Sequence, residues 1–317
     1  MLLAATLVST VSACHREAAP AAPYAWAFGS PPAHPPETPP ADRRYTVPGS
    51  SARLTRAQVR DRLVLADWFP GDHPPMPAPV GHARAKAVAA CGFCHLPSGD
   101  GRPENASIAG LPRDYIVAQV RAFRDGTRRS AVPGHVPTAL MSQVARAASD
   151  AEVAEAAGYF AALTRHGHTR VIEATTIPAV ESGGFVFRPK PDGGTETLGR
   201  RIVELPDDFE RFELRDPRIT YRAFVPPGSM ARGAKLAANW GENGSLACAS
   251  CHGQDLRGQG LIPPLAGRSA SYLARQLANF QRGSRNAPAD APMRQVAAHM
   301  SEDDVIALAA YLASRSS

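Results

Sequence analysis

The pattern Cys-x-x-Cys-His occurs twice in this chain, at Cys91–His95 and at Cys248–His252. It is the attachment signature of c-type haem, in which the thiols bond to the porphyrin and the adjacent histidine ligates the iron. One copy would also fit a redox dithiol or half of a zinc site, but two copies with the same residues downstream favour haem. We therefore predict two covalently bound haem c groups. The predicted ligands are the thiols of Cys91, Cys94, Cys248 and Cys251 and the imidazoles of His95 and His252.

A tandem repeat extends well beyond these motifs. Cys91 and Cys248 are 157 residues apart, and the same separation relates further pairs downstream. These pairs are Gly110 and Gly267, Tyr115 and Tyr272, Gln119 and Gln276, and Arg128 and Arg285. After Arg285 the separation becomes 152, which pairs Met141 with Met293, Ser149 with Ser301, and Tyr159 with Tyr311. Fixed separations over this length indicate a duplicated unit with one loop of different length.

The repeat also indicates the second axial ligand of each iron. Met141 and Met293 follow their proximal histidines by 46 and 41 residues, and each precedes the last helix of its unit. A thioether opposite the histidine fills the sixth position of the iron and raises its reduction potential. We predict that Met141 and Met293 are iron ligands, the alternative being ordinary packing of either thioether. Met300 has no methionine counterpart in the first unit and is predicted to be core.

These residues resemble the dihaem cytochromes c of the cytochrome c4 type over about 80–170 and 229–317. The second unit shows the family pattern as Pro263–Gly267, Tyr272, Gln276, Phe280, Gly283, Arg285 and Met293. The resemblance implies a mainly α protein of two tandem class I cytochrome c domains packed face to face. The first unit has Ala106 where Pro263 stands in the second. In this family the proline carbonyl orients the proximal histidine, so the resemblance implies a different hold on His95.

The N-terminus reads as an export signal. Residues 1–13 are an apolar run too short to span a bilayer, and Val11–Cys14 resembles a bacterial lipobox. We predict a signal peptide over residues 1–14 and a lipid on Cys14, or, alternatively, plain secretion with a free Cys14. Both outcomes place the protein outside the cytoplasm, so we expect a periplasmic and membrane-anchored lipoprotein.

The rest of the chain divides by composition. Residues 15–50 are rich in Ala and Pro and predict a tether, and residues 51–80 predict an extended segment packed on the first domain. The first haem domain is predicted over 81–170, beginning with a helix from Gly81 to Ala90, and the second over 229–317. Residues 171–228 form a long strap between them.

Within the strap, residues 185–187 and 198–205 flank a Pro-Asp-Gly-Gly turn and predict a short β-hairpin. Residues 207–216 alternate charged and apolar side chains and are predicted to stay on the surface. The strap is interpreted as packing the two haem domains in one orientation, the alternative being a docking element for a partner enzyme.

The net charge of the chain and the predicted coordination of the two irons limit the possible functions. The 317 residues carry a net charge of +6, but the basic side chains are scattered, with no stripe typical of nucleic-acid binding. Two six-coordinate irons leave no open site for a substrate, which predicts a non-catalytic electron carrier between redox proteins. The alternatives are a dedicated cytochrome subunit of a periplasmic dehydrogenase or oxidase, and a dihaem peroxidase, which requires one five-coordinate iron.

Overall fold

The computed structural model describes residues 24–30, 32, 40–83, 88–241 and 246–317. The predicted signal peptide over residues 1–14, with its lipid at Cys14, lies outside the described residues. So do residues 15–23, 31 and 33–39 of the predicted tether. The described part is mainly helical and carries a few short strands between its two helical units. No helix in this part is long and apolar enough to cross a membrane.

The second unit contains α8 (Ser229–Ala238), α9 (Ala249–His252), α10 (Ala270–Gln281), α11 (Ala291–Ala297) and α12 (Glu302–Ala313). Helices α8 and α12 cross closely at Gly233, where any side chain would collide with the Ala307 carbonyl. Ser301 and Asp304 form a capping box at the start of α12, which satisfies two backbone donors that the helix leaves free. Aliphatic side chains of α10 and α12 form the core of this unit.

The first unit contains α3 (Cys91–His95), α4 (Arg113–Arg124), α5 (Val136–Ala147) and α6 (Asp150–Ala161). Helix α6 corresponds to α12 in the repeat and has the same capping box, formed by Ser149 and Glu152. Its buried residues are Val153, Ala156, Ala157, Tyr159 and Phe160. The two units therefore share the helices that follow their Cys-x-x-Cys-His motifs.

The predicted helix from Gly81 to Ala90 is wrong in the residues that are described. A one-turn helix, α2 (Ala78–Gly81), ends at Gly81, His82 is extended, and residues 88–90 are not helical. Residues 84–87 lie outside the described part. Extending the 157-residue repeat upstream sets residues 72–81 against α8, and this stretch holds prolines at 74, 75, 77 and 79. Proline inside a helix removes a donor and clashes with the preceding turn, so a copy of α8 cannot form there.

Helix α2 covers α6 in place of a long helix. Val80 is fully buried against the apolar face of α6. The chain on either side is held by the segment before it, because the Leu65 N–H donates to the Gly81 carbonyl and the Ala83 N–H donates to the Leu63 carbonyl. These hydrogen bonds satisfy backbone donors and acceptors that would otherwise be paired within an α-helix.

The predicted strap folds as a central module over residues 169–225. Its three-stranded sheet has the order β3 (Thr169–Glu173), β9 (Tyr221–Val225), β8 (Val203–Pro206), with β3 parallel and β8 antiparallel to β9. A hairpin pairs β4 (Thr176–Pro178) with β7 (Thr195–Thr197) and β5 (Val180–Ser182) with β6 (Phe187–Pro189). A hairpin is thus present in the strap, but the predicted pairing of residues 185–187 with 198–205 is wrong, since residues 187–189 pair with 180–182 and residues 203–206 pair with β9.

The central module has its own buried core, formed by Ile177, Val180, Leu198, Val203, Leu205 and Phe224. The predicted surface position of residues 207–216 is wrong, because α7 (Phe209–Glu213) buries Phe212, and Leu214 and Asp216 are buried after it. The alternation of charged and apolar residues over 207–216 fits a surface segment. It fits equally well a segment that buries its apolar side chains against neighbouring elements. The module contacts the first unit, where Arg215 donates to the Phe93 carbonyl at 2.5 Å.

The N-terminal segment is packed rather than free where it is described. Tyr24 and Trp26 donate hydrogen bonds to Gln281 and Glu302 of the second unit, at 2.8 and 2.7 Å. The predicted tether over residues 15–50 is therefore wrong for residues 24–28, because three aromatic side chains there give the segment apolar area to bury. It is also wrong for residues 44–47, where Tyr45 and Val47 are buried in a core cluster.

Residues 44–69 pack mainly on the central module. Strands β1 (Arg44–Tyr45) and β2 (Leu54–Thr55) pair, and helix α1 (Arg56–Arg60) follows with Thr55 as its cap. The Trp68 indole is buried and donates to the Leu214 carbonyl at 2.7 Å. The segment predicted to pack on the first domain, residues 51–80, therefore divides its contacts between that domain and the module.

Candidate haem sites

Each Cys-x-x-Cys-His motif forms one turn of helix beside the same cavity. In the first unit Cys91 begins α3 and His95 ends it, and in the second unit Cys248 is the N-cap of α9 and His252 ends it. Residues three apart lie on one face of a helix, so both thiols of each motif can reach one planar group while the next residue points to its centre.

The two proximal histidines are held identically. The Nδ1–H of His95 donates to the Ala106 carbonyl at 2.8 Å, and the Nδ1–H of His252 donates to the Pro263 carbonyl at 2.8 Å. The different hold on His95 that the Ala106 substitution implied is therefore wrong, since the acceptor is a backbone oxygen that either residue supplies. Burial lowers the pKa of both imidazoles. A neutral ring with its proton on Nδ1 presents the Nε2 lone pair to a metal.

The predicted iron ligands and thiols border one continuous apolar cavity of about 560 Å³. Met141 lies on α5 and Met293 on α11, and both line this cavity together with the two motif helices. Met300 is buried in the core of the second unit, as predicted, and also borders the cavity. The structure thus brings each proposed Met and its proximal His into the lining of the same space.

His135 is a further imidazole at this cavity. Its Nδ1 hydrogen-bonds the Thr138 hydroxyl at 2.8 Å, and its ring meets the edge of Phe28. Burial and the nearby Arg275 guanidinium lower the pKa of His135 to about 3. His135 therefore remains neutral at physiological pH, and its contacts position it as part of the apolar lining.

The thiols have the properties of attachment sites rather than of reactive dithiols. Cys91, Cys94, Cys248 and Cys251 are free of disulfides in the described residues. Burial raises the pKa of Cys91 to about 12, and it also raises the pKa of Cys94 and of Cys248. Reactive redox cysteines act as thiolates and are found where the pKa is lowered. The dithiol alternative therefore fits these surroundings poorly.

Two buried arginine atoms at the cavity fit a haem carboxylate. Arg268 Nη2 and Arg285 Nε are buried and have no hydrogen-bond partner among the described residues. Both side chains line the cavity. An unpaired buried donor is costly, and a carboxylate is the acceptor that guanidinium prefers. The residues present therefore fit haem, whose propionates would supply acceptors at this position.

The two units meet through repeat-related residues. Arg128 donates to Gln119 of its own unit at 2.6 Å and to Gln276 of the other unit at 3.1 Å. Arg285 reciprocates, donating to Gln276 at 3.1 Å and to Gln119 at 3.0 Å. Their backbones form an antiparallel bridge. This reciprocal pairing gives the interface an approximate two-fold symmetry, as two equivalent surfaces facing each other require.

Other interface residues have no repeat partner, so the sequence comparison could not find them. Arg268 donates to the Ser107 carbonyl at 2.8 Å across the interface, but its repeat position in the first unit is Leu111. Arg275 donates to the carbonyls of Ala27 and Pro103, and its repeat position is Ala118. Single buried arginines carry no periodic signal, and only the fold shows what they join.

Several known proteins similar to this chain are named as cytochromes c. The cytochrome c family model matches residues 230–316. The chain is 37% identical over 78 residues to cytochrome c-554(548) of Halomonas halodenitrificans and covers 92% of it, using 24% of its own length. It is 27% identical to cytochrome c4 of Azotobacter vinelandii, over 74% of this chain and 87% of that protein.

A further relative is the thiosulfate dehydrogenase electron acceptor of Thiomonas intermedia (strain K12), which is 29% identical over 75% of this chain and 84% of its own length. The long alignments span about three quarters of this chain, and the short one exceeds a third identity over nearly a whole cytochrome. Together with two Cys-x-x-Cys-His helices facing a common cavity, this evidence shows that the chain belongs to the cytochrome c family and resembles its cytochrome c4 members.

Proposed function

We propose that the protein is a dihaem c-type cytochrome that carries electrons between redox protein partners, with no catalytic site of its own. One observation carries the proposal: His95, Met141, His252 and Met293 all line the cavity beside the two attachment helices. Haem c supplies a one-electron iron couple when it is bound. Cys91, Cys94, Cys248 and Cys251 are the proposed attachment sites.

The chain's own groups would set the properties of both centres. The Ala106 and Pro263 carbonyls orient the two imidazoles and keep the proton on Nδ1. The Met141 and Met293 thioethers would close the second axial position, and the apolar lining would exclude water, both of which raise the potential. The interface arginines hold the two units in one fixed relation, so that an electron can pass within the molecule.

The export signal supports a periplasmic location, with Cys14 as a lipid attachment site. The cysteine follows a short apolar run and small residues. Attachment of haem to c-type cytochromes outside the cytoplasm agrees with this location. Mass spectrometry of the mature N-terminus tests this point, since a diacylated Cys14 at the N-terminus is expected and an unprocessed Met1 would contradict it.

Coordination is tested by opening each iron separately. In the wild type, we expect two haems per chain and no binding of carbon monoxide to the reduced protein at neutral pH. Met141→Ala and Met293→Ala should each open one iron, so each should bind about one carbon monoxide per chain and lose half of the Met–iron charge-transfer band.

Met76→Ala is the matched control, because Met76 packs beside Val80 and away from the cavity lining. It should leave both the band and the closed coordination intact. Binding of carbon monoxide or turnover of peroxide by the unmodified protein would instead support the dihaem peroxidase alternative.

A dedicated subunit of a dehydrogenase is the second candidate function. The relative named as the electron acceptor of thiosulfate dehydrogenase favours a periplasmic dehydrogenase as the electron donor. A lasting complex predicts copurification with one enzyme from solubilised membranes at moderate salt. Rapid reduction by thiosulfate in the presence of a thiosulfate dehydrogenase, without copurification, would indicate a free carrier that accepts from the same class of enzyme.

A further inference from the structure

A cluster of two histidines and one aspartate lies outside the haem cavity. Asp100 is on the loop after α3, and His166 and His168 are on the segment that leads from α6 to β3. One ligand atom from each residue lies within 4.8 Å of the others. Among the described residues, it is the one group of this kind that the geometry brings together. We propose that Asp100, His166 and His168 bind a divalent late transition-metal cation of the Zn²⁺ class.

The distances suit a metal better than a hydrogen-bonded pair. His166 Nδ1 and His168 Nε2 each lie 3.3 Å from the same oxygen, Asp100 Oδ2. Charge-assisted hydrogen bonds are shorter, about 2.7–2.9 Å. Ligand atoms held about 2.1 Å from a tetrahedral ion lie about 3.4 Å from each other, which is close to the separation seen here. Both imidazole–carboxylate distances are therefore those of neighbouring ligands of one ion, and the ligand atoms of all three residues lie within 4.8 Å of one another.

The carboxylate is prepared for this role. The Asp100 side chain is 2% exposed, and the His166 backbone N–H donates to its Oδ1 at 2.8 Å. Burial alone would raise the pKa of Asp100, but the interactions with His168 and the His166 backbone outweigh it and lower the pKa. The carboxylate is therefore ionised and oriented, with Oδ2 directed to the imidazoles.

A small cavity adjoins the cluster. It has a volume of about 30 Å³, and Asp100, His166 and His168 are part of its lining. Ser107 Oγ and Tyr221 Oη line the same space and are buried without a hydrogen-bond partner among the described residues. This volume is enough for an ion or for a small ligand such as water. The His166 side chain is 62% exposed, which leaves a path from solvent.

The donor set and nearby charges select the type of metal. Two imidazoles and one carboxylate are the protein ligands of many zinc sites that keep one position open, whereas Ca²⁺ and Mg²⁺ require mainly oxygen ligands. Arg165 interacts electrostatically with Asp100 and with Arg268. The positive charges of Arg165 and Arg268 disfavour metal cations that are bound only by electrostatic attraction to oxygen ligands. A cation held by imidazole nitrogen, such as Zn²⁺, Cu²⁺ or Ni²⁺, is therefore expected.

The cluster is also joined to the loop that holds the first proximal histidine. The Gly101 N–H donates to the His95 carbonyl at 3.0 Å, and Ala106 accepts the His95 imidazole proton at 2.8 Å. A cation bound to Asp100 would fix one end of this loop to the segment that enters the central module.

Zinc content of the untagged, haem-loaded protein tests the proposal. After equilibration with Zn²⁺ and desalting, elemental analysis should give one zinc and two irons per chain. His166→Ala should weaken Zn²⁺ affinity at least 100-fold or so, because even outer-shell changes typically cost about 10–100-fold. Its histidine is largely exposed, so the iron count and haem spectrum should not change. With Cu²⁺ as the probe, electron paramagnetic resonance should show nitrogen couplings from two imidazoles.

His82→Ala is the matched control, because His82 is exposed and outside the cluster. It should retain wild-type zinc affinity. A second variant, His168→Gln, should lose the zinc as His166→Ala does. The proposal is overturned if the wild type retains no zinc, or if His166→Ala and His82→Ala bind it equally.

Discussion

The two haem units differ most where their last helix is covered. In the second unit a ten-residue helix, α8, crosses α12 at Gly233, with the two backbones in close approach. In the first unit a four-residue turn, α2, places Val80 against α6. The attachment helices are nevertheless alike, down to the 2.8 Å hydrogen bond of each proximal histidine. The hold on the histidine is thus the same in both units, whereas the outer cover needs only to bury the same apolar face.

The largest effect is expected at the crossing of α8 and α12. Gly233→Ala would drive a methyl group into the Ala307 backbone carbonyl, which cannot move without separating the helices. We expect a loss of about 4 kcal/mol or more in the free energy of unfolding. Urea denaturation of the haem-loaded protein, followed at the haem bands, measures it.

Gly158→Ala in α6 is the control for that experiment, since a methyl group there meets nothing within 4 Å. It should be neutral or stabilise the protein by up to about 1 kcal/mol, because alanine favours a helix over glycine. Equal effects of the two changes would show that the close crossing is not what stabilises the second unit.

The cover of the first unit is tested by Val80→Ala. This side chain is fully buried on α6, and its loss should cost about 2–3 kcal/mol through lost burial and the cavity left behind. Faster hydrogen exchange in α6 than in α12 would locate the effect in the first unit. Val64→Ala, at a position that is 53% exposed, should change stability by less than about 0.5 kcal/mol. A Val80 effect as small as this would contradict the role assigned to α2.

The symmetry of the interface predicts equal responses from its two halves. Gln119→Ala and Gln276→Ala each remove an acceptor shared by Arg128 and Arg285, leaving buried guanidinium donors unpaired. Each should destabilise the protein by about 1–3 kcal/mol, and the double variant should cost less than the sum. Thermal denaturation of the three variants measures this coupling. Additive effects would mean that the two glutamines act independently.

The smallest change in stability is expected at Pro263, because both units hold the proximal histidine by the same backbone hydrogen bond. Pro263→Ala should keep the hydrogen bond from His252, because Ala106 accepts the equivalent bond in the first unit. The reduction potential of the second haem should therefore be unchanged, and stability should fall by about 1 kcal/mol or less through the freer unfolded chain. Potentiometric titration decides the point. A clear shift in potential would show that the proline ring, and not only its carbonyl, positions His252.

The pattern of successes and errors follows the range of the interactions. The attachment motifs are local, and each forms a turn of helix in the structure. The helix predicted from Gly81 to Ala90 failed because alanine favours a helix only when no stronger pairing competes. There the backbone around Gly81 pairs with residues 63–65, which local propensity cannot foresee.

In the strap, too, backbone pairing depends on interactions that local sequence patterns do not contain. Residues 187–189 and 203–206 form strands, yet they do not pair with each other across the Pro-Asp-Gly-Gly turn between them. Strand 169–173 pairs in parallel with 221–225, some fifty residues away. Partner choice depends on which faces are buried together, and that is a property of the whole fold.

The sequence by itself determined two haem-binding units, because attachment chemistry demands a fixed spacing of cysteines and histidine and because the repeat carries the methionines with it. Only the tertiary structure decided that backbone carbonyls hold both histidines alike, that paired arginines and glutamines join the units, and that the strap is a folded module. Those features depend on contacts between segments far apart in the chain, whose free energy comes from burial and pairing that no local pattern records.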